Sequence, residues 1–162
     1  MDKGAHFFRC DFQVHTPRDI EWSGTKPVSD ADRKAYADNF IIACRKKGLN
    51  SIAITDHHDF AFYKFIRQAS LDELDFVGQP ISPLERIVVF PGLELTLSNP
   101  ASCQAILLLD ADFPIEQLNF ILATAIGQIL RSDIGSPSKR DRIISILNKY
   151  KTVDIELSKQ FT

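Results

Sequence analysis

Ser51-Ile-Ala-Ile-Thr55 is a continuous apolar run too short for a helix, and it lies between two helical patterns. Few folds suit such a chain: the run reads as a buried strand in a sheet whose connections are helices. Ahead of it, Phe8, Cys10, Phe12 and Val14 alternate with Arg9, Asp11 and Gln13, which predicts a first strand over residues 7–14. A polar loop from Thr16 to Ser29 is broken by Pro17, Gly24 and Pro27. From Asp30 to Lys47 the pattern is helical: Tyr36, Phe40 and Cys44 recur every four residues, and Ile41 widens the apolar face. Arg45, Lys46 and Lys47 suit the negative end of that helix, and Gly48 suits its C-terminal cap.

Further on, Phe62, Phe65, Ile66 and Ala69 mark a second helix. Arg86–Phe90 predicts a strand closed by Pro91-Gly92, with Leu93–Leu97 extended again and Gln104–Leu109 another strand. Two helices are expected to follow. One carries the stripe Ile115, Leu118, Leu122, Ile126 and Ile129; the other opens on a capping box at Ser138 and Asp141. This rhythm is that of an α/β domain with mostly parallel strands. Some four strands in 162 residues fall short of the eight units and roughly 250 residues of a closed barrel. The chain is therefore a small open sheet or the opening part of a barrel, and the second option leaves an edge that something must cover.

Hydrophobic residues make up 44% of the chain and charged residues 25%, which argues against wholesale disorder. A net charge of -2 and a pI near 6.1 exclude a basic footprint over the whole chain but leave a local patch open. Cys10, Cys44 and Cys103 fit neither a disulfide framework nor a zinc ribbon and are expected to be buried, reduced thiols. No apolar run reaches the roughly 18 residues of a membrane span, and no signal core follows the N-terminus, so a cytoplasmic protein is expected.

The polar residues of interest fall where strands end. Gln13 and His15 are two apart and share a strand face; Asp56, His57, His58 and Asp59 follow the second strand; Glu94 follows the third. Strand C-terminal ends are where α/β folds assemble their sites. Imidazoles with carboxylates form a mixed ligand set for Zn, Mn or Fe. Ordinary readings stand beside these. His15 could be a satisfied strand-end histidine, one of His57 and His58 could cap a helix, and Glu94 could be a solvated turn residue. Asp59 reads as an N-cap. Arg18, Lys26, Arg33 and Lys34 could meet phosphates or be scattered surface charge. Trp22 could be a lid over the site or a hydrophobic plug.

Three ordered segments, Asp11-Phe-Gln-Val-His-Thr16, Ile54-Thr-Asp-His57 and Pro91-Gly-Leu-Glu94, resemble the motifs of the polymerase and histidinol phosphatase (PHP) family. They span about residues 7–110. The stretch Gln13-Val-His-Thr-Pro-Arg-Asp19, with Trp22 nearby, most resembles the PHP module that opens TrlF-type ATPases. The resemblance implies a single PHP-like domain over 1–162, as a partial or truncated distorted TIM-like barrel with a helical part over 111–162. It also implies a cluster of up to three divalent metals (Zn, Mn or Fe) and a phosphoester substrate, with DNA or RNA among the candidates. By position, His15 would bind the first metal, Glu94 would bridge the first and second, and His57 would bind the third with Asp19 as companion. Gln13 would add an amide oxygen. Asp56 would orient an imidazole, and Asp56 and His57 form the expected catalytic pair.

This sequence departs from the family's pattern at Gln13 and Gln104, which stand where ligand histidines are usual, and no histidine follows His58. Two functions remain: a metal-dependent phosphoesterase, or a catalytically degenerate PHP-like domain serving a larger ATPase as a regulatory or interaction module. The chain carries no G-x-x-x-x-G-K-[ST] loop, so ATPase chemistry would lie beyond Thr162 or in a partner chain.

Overall fold

A computed structural model describes residues 6–19, 21–57, 59–97 and 103–122. They form a mixed α/β structure around a curled, half-barrel sheet of four strands in the order β1-β2-β3-β4. In chain order these are β1 (Cys10–Val14), α1 (Asp30–Lys46), β2 (Ser51–Ile54), α2 (Tyr63–Leu71), β3 (Val88–Leu97) and β4 (Cys103–Leu108). A 3-10 turn at Ile115–Gln117 leads into helical residues 118–122. Pairing is parallel from β1 to β2 and from β2 to β3, and antiparallel from β3 to β4.

Helix α1 starts where its chemistry says it should. Ser29 Oγ accepts from the Asp32 amide at 3.1 Å, and Asp32 Oδ2 accepts from the Ser29 amide at 3.2 Å, which closes a capping box. The helix ends at Lys47, and Gly48 takes a φ of 69°, a left-handed conformation that glycine adopts without steric cost. Its buried stripe is Ala37, Ile41 and Cys44, with Tyr36 and Phe40 half-buried on the flank, so the apolar face is turned slightly from the expected one. Helix α2 buries Tyr63, Ile66 and Ala69. The Tyr63 hydroxyl donates to the Val89 carbonyl at 3.5 Å, and Ser70 Oγ donates to the Ile87 carbonyl at 2.6 Å, which ties the helix to β3 and the residue before it. Arg45 and Glu73 form a two-pronged ion pair between the end of α1 and the segment after α2.

Both helices lie on one face of the sheet. Ile52, Ile54, Val89 and Leu93 meet Ile41, Ile66 and the incoming Leu118 and Leu122 in a single buried cluster. At about 1.5–3 kcal/mol for each fully buried aliphatic side chain, this cluster dominates the stability of the described residues.

Several expectations need correction. Val14, at the register shift of the first strand, packs against the core, but the apolar side before it is not buried: Phe8 is 72% exposed and Phe12 41%. That side faces away from the helices, and β1 is an edge strand of the described sheet. For the same reason Cys10 is exposed, as is Cys103; only Cys44 matches the expectation of buried thiols. Pro91-Gly92 does not close a strand, because β3 runs through it. The pair marks a change of partner: Val88–Pro91 pair with β2, and Gly92–Leu97 pair with β4. Asp59 is not an N-cap. Phe62 holds that position without a side-chain cap, while Asp59 receives the Arg18 guanidinium and the Ala61 amide. Ile126, Ile129, Ser138, Asp141 and His58 lie outside the described residues. No helix among the described residues is long and apolar enough to cross a membrane.

Candidate metal centre

Parallel pairing of β1, β2 and the first half of β3 brings their C-terminal ends to one edge, which is why residues far apart in sequence meet there. The register of β1 shifts between Asp11 and Val14, a bulge that changes the aim of the strand just before its functional residues. Gln13 Nε2 then donates to Glu94 Oε2 at 3.0 Å. His15 presents Nε2 to the same oxygen at 3.0 Å. From the end of β2, His57 bridges to Glu94 in β3 and holds Nε2 3.6 Å from Glu94 Oε1.

Asp19 faces the opposite side of both rings. Its Oδ2 lies 2.9 Å from His15 Nδ1 and 2.9 Å from His57 Nδ1, and accepts the His57 backbone N–H at 2.8 Å. Its Oδ1 accepts the Glu21 amide at 2.8 Å. The two imidazoles stack with centroids 5.2 Å apart and planes 10° from parallel. Burial alone would raise the Asp19 pKa, but the backbone donors of His57 and Glu21, followed by the His57 ring, outweigh it and hold the carboxyl below its usual value.

Asp56 makes a different set of contacts. Its two oxygens accept the Thr16 amide and the Thr16 hydroxyl, each at 2.6 Å. Burial pushes its pKa up to about 7, against those hydrogen bonds and with help from the nearby Asp19 and Asp59 charges. Asp56 therefore anchors the start of the loop after β1, and the contact that orients the imidazoles belongs to Asp19. Thr16 is fully buried and was not singled out from sequence. Its signal there was its place as the last residue of the Asp11–Thr16 segment, directly after His15.

Among the described residues, two sets of side chains bring one ligand atom each within 4.8 Å of one another: His15, His57 and Glu94, and His15, Asp19 and Asp56. The first set fits a divalent cation better. Glu94 is 1% exposed, and its Oε1 has no hydrogen-bond partner among the described residues. A buried carboxylate oxygen left so is costly, and two imidazoles with a carboxylate are a usual borderline-metal donor set. In the second set, Thr16 and backbone amides already occupy the carboxylate oxygens.

The basic residues suggested for phosphate contact are engaged elsewhere. Arg18 meets Asp59, Arg33 meets Asp30 at 2.7 Å, Lys34 meets Asp38 at 2.8 Å, and Lys26 donates to the Asp19 carbonyl at 3.0 Å. Gln104 is exposed on β4, two positions from Ile106, the register partner of Glu94. Trp22 packs edge-on against Tyr36, with centroids 6.4 Å apart, in the manner of a plug. No protein-family model, curated protein or solved structure matches this chain.

Proposed function

We propose that the chain is a PHP-like, metal-dependent phosphoesterase module, its half-barrel sheet part of a distorted TIM-like barrel. One observation carries the reading: the Nε2 atoms of His15 and His57 converge on a buried Glu94 whose Oε1 lacks a hydrogen-bond partner among the described residues. His15, His57 and Glu94 would hold the cation. When bound, a divalent ion supplies Lewis-acid polarisation of a phosphoryl oxygen and acidifies water for attack. Glu94 supplies the negative charge that retains the ion, and burial of its side chain keeps competing water away. Asp56 holds Thr16 in place and so fixes where His15 projects. The substrate class is a phosphomonoester or a DNA or RNA phosphodiester.

A specific contact favours a second reading. Gln13 gives Glu94 an N–H where the family's usual histidine would offer a lone pair, so part of the carboxylate is satisfied by protein alone. On that reading the chain is a degenerate module of a larger ATPase, acting through regulation or interaction.

Elemental analysis after purification without chelator tests both. The expected result is about one or more equivalents of Zn, Mn or Fe, lost in Glu94→Gln, with phosphoester hydrolysis falling in parallel. A wild-type protein that takes up no metal, even after soaking in divalent ions, overturns the phosphoesterase reading. Metal uptake that appears only in Gln13→His identifies the degenerate module.

A further inference from the structure

We infer that Asp19 is a positioning residue that sets the tautomer and aim of both imidazoles at once. The inference rests on the metal reading above and assigns Asp19 a role other than ligand. A backbone N–H can only donate. The His57 backbone N–H points at Asp19 Oδ2 at 2.8 Å, so that oxygen is an acceptor. Nδ1 of His15 and Nδ1 of His57 both lie 2.9 Å from it. An acceptor oxygen bonds a ring nitrogen only through a hydrogen, so both rings carry theirs on Nδ1. A neutral ring protonated on Nδ1 has its lone pair on Nε2. Both Nε2 atoms face Glu94, at 3.0 and 3.6 Å.

One carboxylate thus turns two rings the same way, and the near-parallel stack at 10° is the geometric trace of that shared anchor. A lone pair does not face a carboxylate oxygen at 3.0 Å unaided, so either a second proton on His15 Nε2 or a cation stands between His15 and Glu94, and a bound cation would take the place of that proton. Carboxylate–imidazole pairs of this kind raise ligand basicity and fix ring orientation. Here a single residue does so for two rings.

The test uses the metal-free, isotope-labelled protein at pH 8, where long-range proton–nitrogen correlation spectra report the tautomer of each histidine. Variants His15→Gln and His57→Gln assign the signals. Both rings are expected in the Nδ1–H form. Asp19→Asn should move at least one ring to Nε2–H, since the new amide donates where the carboxylate accepted. It should also weaken Zn and Mn binding by about 10–100-fold. A wild-type spectrum with either ring in the Nε2–H form overturns the inference without recourse to any variant. Unchanged tautomers and unchanged affinity in Asp19→Asn overturn it as well. Nδ1–H rings in a wild-type protein that binds neither metal would support the Asp19 role and overturn the metal reading alone.

Discussion

On its helix-covered face the sheet presents Ile52, Ile54, Val89 and Leu93, none more than 4% exposed. On the other face it presents Phe12, Val88, Ile106 and Leu108, each 38–42% exposed, around a Glu94 that is only 1% exposed. The strands are the same, so the difference lies in what covers them. Aliphatic burial under α1 and α2 holds the fold together, while the opposite face buries the small residues Ser51 and Ala53, leaves larger apolar side chains partly exposed, and places polar groups at its end. Glu94 and Leu93 are neighbours in sequence and point to opposite faces. A strand lets one residue serve stability and the next serve a site.

That contrast predicts opposite signs at adjacent positions. Leu93→Ala should destabilise by about 2–5 kcal/mol, the range for emptying a fully buried leucine site. Glu94→Gln, measured in chelator at pH 8, should leave stability unchanged or raise it by about 1 kcal/mol, because it removes a buried charge and an unpartnered oxygen. Denaturant unfolding of both variants checks the pair. A Glu94→Gln loss as large as that of Leu93→Ala would mean that the carboxylate is structural.

At Gly92 the less-covered face is tightly packed. A Cβ built on Gly92 would sit 2.9 Å from the Leu107 carbonyl oxygen and 2.9 Å from Thr55 Cγ2. β3 changes partners here, and the close approach of β4 leaves no room for a side chain. Gly92→Ala should therefore cost about 1–3 kcal/mol by overpacking. It should also displace Glu94, two residues on, which would appear as weaker metal binding. A fully stable variant would show that β4 can shift without consequence.

Local patterns in the sequence were enough to place α1, α2 and β2. The α1 capping box, the Gly48 stop and the all-apolar β2 are decided within a few residues of chain. So was the gathering of Gln13, His15 and His57 at strand ends, once the strands were taken as parallel, whereas Glu94 joins them from inside β3, past the part that pairs with β2. What sequence could not supply was pairing. Pro91-Gly92 looks like a stop because proline lacks an N–H, yet the strand continues since the Pro91 carbonyl still accepts from Leu109 at 2.9 Å. Phe12 and Cys10 alternate like core residues, but alternation tells which residues share a face and not whether anything lies over it. The parts played by Asp19 and Asp56 depend on which partner each carboxylate meets across about 40 residues of chain, and spacing carries no trace of that.

The smallest effect gives the sharpest test of the two faces. Val88 and Val89 are adjacent in β3, 42% and 4% exposed, and threonine matches valine in shape and in β-branching. Val89→Thr buries a hydroxyl beneath the helices and should cost about 1–3 kcal/mol. Val88→Thr turns the same hydroxyl toward solvent and should fall within about 0.5 kcal/mol of wild type. Thermal or denaturant unfolding of the two variants side by side removes uncertainty from the unfolded state, since both make the same chemical change one residue apart. Equal losses would mean that the second face is covered in solution by something that excludes water as well as the helices do. A gap between them would mean that the face stays open and that the edge bearing Glu94 can be reached from that side.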